Sequence, residues 1–112
     1  MPDITVMTAT DWIKFALQNI KQRVNEEEYL RYEPLFQEIA NDQYEIRVAM
    51  ARYAAEGNEE KVKEMEMAYE ATVLDFENRV SKHDIAVDQG RLAQLIAILK
   101  TVFKILLYVA VG

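Results

Sequence analysis

Gly57 stands at a mirror in the sequence. Between residues 35 and 53 the apolar side chains Leu35, Ile39, Ile46, Met50 and Tyr53 recur at helical spacing. Beyond the glycine, Val62, Met65, Tyr69, Phe76 and Val80 do the same. Folding the chain back at "AEGNEEK" pairs Tyr53 with Val62, Met50 with Met65, Ile46 with Tyr69, Ile39 with Phe76 and Leu35 with Val80, all in one register. The turn chemistry agrees. Gly57 can take the left-handed conformation that closes a helix, Asn58 can cap the next one, and Glu59 and Glu60 suit its positive end. Mirrored stripes about a capped turn are what an antiparallel helical hairpin requires, with arms expected at about 34–56 and 58–88.

The same register sets His83 beside Tyr32 and carries helical geometry back through Pro34 with a kink. Two starts for that helix compete: Asn25, which with Glu28 resembles a capping box, and Pro34, which suits a first turn. Upstream, residues 1–9 read as an extended arm. Thr10 or Asp11 is expected to cap a first helix carrying Ile13, Ala16, Leu17, Ile20 and Val24, its buried face widened by Trp12 and Phe15. Gly90 breaks the chain before a last helix at about 91–111. Three Gly and two Pro leave little turn material for an all-β fold. The expectation is therefore all-α: one domain over residues 1–112, a bundle of about four helices built on the hairpin.

The last helix is the least ordinary. Sixteen of the twenty residues from Leu92 to Val111 are apolar, and the only charges are Lys100 and Lys104. On a helical wheel Gln94, Lys100, Thr101 and Lys104 occupy about a third of the circumference, with Ala93, Ala97 and Tyr108 beside them. Both lysines would fall near the middle of a bilayer span, which makes a membrane crossing marginal. An edge helix buries a stripe a little over about 100° wide, and this one offers about twice that. The expected use of the surplus is a seam between subunits, formed by Leu92, Leu95, Leu99, Val102, Phe103, Leu106 and Val109. A thinner stripe of Met67, Leu74 and Ile85 lies well around the hairpin helix from the main one and marks a secondary contact.

Charge narrows the function classes. Residues 1–91 hold all nineteen acids and eleven of the thirteen bases, a net of −8, while residues 92–112 carry +2. Phosphate backbones repel such a body, so no nucleic-acid partner is expected, whereas a basic protein partner is compatible. The opening residues lack the basic region and apolar run of a signal peptide, and there is no Cys; a cytoplasmic location is expected. The absence of Cys also removes thiol nucleophiles and thiolate metal sites. His83, the only His, lacks the convergent groups of a catalytic site and is read as structural, hydrogen-bonded near the open end of the hairpin. Glu38, Asp42 and Glu45 share one helix face, and Glu66, Glu70 and Glu77 another. A carboxylate di-iron site would also need Glu-x-x-His on two helices, so solvated acidic faces are expected instead. No cofactor is implied. The expected function is a non-enzymatic assembly subunit forming a homo-oligomer through the C-terminal helix. The alternatives are an acidic module binding a basic protein, and a membrane-active protein using residues 92–111.

Overall fold

The computed structural model describes residues 7–108 of the 112-residue chain. Five helices follow one another: α1 (Ala9–Lys21), α2 (Glu26–Ala55), α3 (Glu59–Leu74), α4 (Phe76–Lys82) and α5 (Gln89–Leu106), with no strand element among the described residues. Most of the expected extended arm, residues 1–6, lies outside them.

Capping side chains set the starts. Thr8, not Thr10 or Asp11, caps α1: its hydroxyl accepts from the Asp11 N–H at 3.2 Å. Trp12, Ala16 and Ile20, spaced i, i+4, i+8, are then fully buried, with Ile13 and Leu17 half-buried on the flank. Asn25 accepts from the Glu28 N–H at 2.8 Å and decides the start of α2. At 30 residues α2 is about 45 Å long and is continuous across Pro34, which lies inside it. The proline takes away the donor that the Leu30 carbonyl would have used. Both Leu30 and Pro34 are exposed, so that turn of the helix is open to water.

The closing turn of α2 has the expected chemistry. Gly57 adopts φ +73°, Asn58 N donates to Tyr53 O at 2.9 Å and Gly57 N to Ala54 O at 3.1 Å, which is a Schellman closure. Asn58 then caps α3 by accepting from the Lys61 N–H.

The second arm departs from the unbroken 58–88 helix in two places. It breaks at Asp75, one turn after the Thr72 hydroxyl donates back to the Ala68 carbonyl at 2.9 Å, a bond that bends helices. The Asp75 carboxylate is drawn off to Asn78 at 3.0 Å and to Arg79 Nε at 3.3 Å. The arm then ends at Lys82 in a second Schellman closure, with Ile85 N on Val80 O at 3.1 Å and Asp84 N on Ser81 O at 3.0 Å. Here the left-handed residue is Asp84, at φ +53°.

The arms are antiparallel, and α1 and α3 each pack on both α2 and α5, so α2 and α5 occupy opposite corners of the bundle. Ring contacts join the arms: Phe76 stacks on Phe36 with centroids 5.8 Å apart and meets Tyr32 edge-on at 5.9 Å, in the same core as Ile39. Gln43, fully buried, donates from Nε2 to Tyr69 O at 2.8 Å. On the α1–α5 side Trp12 stacks on Phe103 and meets Tyr44 edge-on.

Two arginines fasten α5 along α2. Arg91 forms a bidentate pair with Glu28, its Nε 2.6 Å from Oε2, and Arg47 Nε donates to Leu107 O at 2.6 Å. The Arg91 guanidinium, against a smaller opposing effect of burial, holds the Glu28 carboxyl below its ordinary range. No residue from 51 to 68 is buried.

Candidate functional site

The residues expected to form a seam lie inside the chain. Leu92, Leu95, Leu99, Val102, Phe103 and Leu106 are all 4% exposed or less, and Val109 lies outside the described residues. The arc of α5 is wide because helices meet it on two sides: α1 takes one flank and α3 the other. Side chains already covered this way have no surface left for a second subunit, which corrects the assignment of these six to a seam.

The secondary stripe divides. Ile85 packs against the core, as the apolar residue of the closure that ends α4. Met67 and Leu74 stay outside, 71% and 54% exposed. Tyr108, just beyond α5, is 79% exposed. Leu74 and Tyr108 border a groove of about 760 Å³ between α3 and α5. Its floor includes Tyr69, Val73, Phe103 and Leu107. The Tyr69 hydroxyl donates to Phe103 O at 2.5 Å, and burial pushes that hydroxyl's pKa far up, so it stays a neutral donor that ties the two helices together beneath the groove.

The rims of the groove carry opposite charge. Glu66 and Glu70 come from α3, Lys100 and Lys104 from α5, and all four are exposed. Among the described residues none of the four takes part in an ion pair or a side-chain hydrogen bond. The polar stripe of α5 is therefore an outer rim, with Thr101 and Ala97 beside it. A smaller groove of about 490 Å³ adjoins it at Glu66, Leu107 and Tyr108 and reaches the hairpin tip at Met50, Ala51, Ala54 and Val62.

The other cluster of ionisable groups is self-contained. Arg79 reaches across from α4 to α2, with Nη1 3.0 Å from Glu38 Oε1 and Nη2 2.6 Å from Asp42 Oδ2. Burial works against the charge of Arg79, but the hydrogen bonds to Asp42 and Glu38 outweigh it and raise its pKa. His83 Nε2 lies 3.1 Å from Glu38 Oε2, so its partner is Glu38 and not Tyr32, and the side chain is 39% exposed. Where carboxylates converge, the cation between them is thus a guanidinium. Glu45 and Glu77 point to solvent. Among the described residues no three His, Cys, Asp or Glu side chains form a metal-holding group, and no helix is long and apolar enough to cross a membrane. Set against known protein families, curated proteins and solved structures, the chain matches none.

Proposed function

We propose that this protein is a non-enzymatic assembly subunit that associates with copies of itself, through the outer side of α3 and α5 rather than through the apolar arc of α5. The observation that carries this reading is the grouping of exposed apolar side chains. Leu74 and Tyr108 are each more than half exposed and border one groove, and Met67, more than half exposed as well, stands on the same helix as Leu74 outside the groove's lining. Single exposed apolar residues are ordinary, but a group around a concave surface marks a place where another molecule sits. Exclusion chromatography with light scattering tests it. The wild-type chain should run as a defined multimer, and the double variant Met67→Asp, Leu74→Asp should run at lower mass with its helical content kept. A wild-type monomer at every concentration would reject the reading.

A second reading has its own support. Glu59, Glu60, Glu64, Glu66 and Glu70 are all exposed on α3, next to the exposed Glu56, and such a surface steers a basic protein toward the hairpin tip. A monomer that binds a cationic helical peptide with steep salt dependence would favour it. A mass that changes only in detergent would point to the membrane reading instead.

A further inference from the structure

We infer that two copies of this chain pair face to face over the α3–α5 groove, about a two-fold axis that runs along the groove; this rests on the self-association reading and specifies its geometry. Glu66 and Glu70 stand on one side and Lys100 and Lys104 on the other, all exposed and none ion-paired among the described residues. The chain runs in opposite directions in α3 and α5, and the bond from the Tyr69 hydroxyl to Phe103 O sets their register. That register puts the two acids and the two lysines at about the same height along the groove.

A face-to-face pair can use either of two in-plane axes. An axis across the groove lays α3 on α3, so glutamates meet glutamates and lysines meet lysines. An axis along the groove lays α3 of each copy on α5 of the other, antiparallel, so both acids meet both lysines at matching height. Like charges brought together in a contact repel and opposite ones attract, so the charge pattern selects the second axis. The pair would stack two layers of two helices, with opposite charges facing each other across the seam, and the half-exposed Leu74 and the exposed Tyr108 would be covered at its two ends. The interface is isologous and closed, so assembly through it stops at two.

Charge reversal and mixing test this with the full chain. Glu66→Lys with Glu70→Lys makes the whole rim basic, and Lys100→Glu with Lys104→Glu makes it acidic. Each variant alone should lose dimer mass in light scattering, with a dissociation constant raised at least tenfold, and an equimolar mixture of the two should recover the dimer. Raised salt should weaken the wild-type dimer. A second measurement avoids any charge-reversed fold: this cysteine-free chain with Glu70→Cys, mixed with Lys104→Cys, should oxidise to the mixed disulfide in preference to either homodimer. A wild-type multimer that neither reversal disturbs, or homodisulfides in excess over the mixed one, overturns this geometry while leaving self-association standing. A wild-type monomer at high concentration overturns both.

Discussion

The two ends of the hairpin are made of the same pattern and have different fates. In the body of the bundle, Phe36, Phe76, Tyr32 and Phe103 are each 1% exposed or less, because helices surround them on several sides. At the tip, Tyr53, Val62 and Met65 continue the same stripe yet remain only half-buried, and no residue from 51 to 68 is fully buried. A helical period specifies which direction a side chain faces. How deeply it is buried depends on how many neighbours lie in that direction. The tip is therefore held by local turn chemistry and one seam, and the body by a shared core.

Substitutions should expose that contrast, the largest at the core. Phe76→Ala is expected to cost about 3–5 kcal/mol in chemical denaturation, while Met65→Ala at the tip should cost well under half of that. Equal losses would mean that the tip is packed as the body is.

The pair that fastens the bundle's open end comes next. Arg91→Met should cost about 2 kcal/mol at neutral pH, the range of a charge-assisted hydrogen bond. The sign of its pH dependence follows from Glu28, whose folded pKa is lowered. Its contribution is present above the ordinary glutamate range and disappears as pH falls through the depressed value. The stability gap between wild type and variant should therefore close below about pH 4. A gap that persists in acid would assign the effect to packing of the arginine stem.

The two Schellman turns give the smallest and most direct comparison. Gly57→Ala at the tip should cost about 1–2 kcal/mol, since a Cβ is disfavoured in the left-handed region; nothing lies within 4 Å of where that Cβ would sit, so the cost is one of backbone conformation. Asp84→Gly in the body should stabilise by about 0.5–1 kcal/mol for the converse reason. Thermal or chemical melts of the two variants would show opposite shifts.

The hairpin was legible in the sequence because Gly57, Asn58 and the mirrored stripes all speak of local geometry. So was the capping role of Asn25, which competed only with Pro34. Other features depended on neighbours that no spacing reveals. The apolar arc of α5 announced that the helix would be surrounded, but not that α1 and α3 would do the surrounding. Lys100 and Lys104, and likewise Glu66 and Glu70, could each be read as a polar stripe on its own helix. Their convergence on one groove depends on how α5 is rotated beside α3. The closure at Asp84 left no signal because the usual glycine is absent, and the break at Asp75 was hidden by a stripe that continues across it through Phe76.

Trp12 has one further consequence. It is the chain's only tryptophan, it is fully buried, and it stacks on Phe103 where α1 meets α5. Intrinsic fluorescence excited at the indole band therefore comes from a single place deep in the body, far from the hairpin tip. Melting of the tip alone would change far-ultraviolet ellipticity and leave the emission unmoved. Two optical signals that normally coincide in a small domain would then separate, and the distance between their midpoints would measure how independently the hairpin's end comes apart.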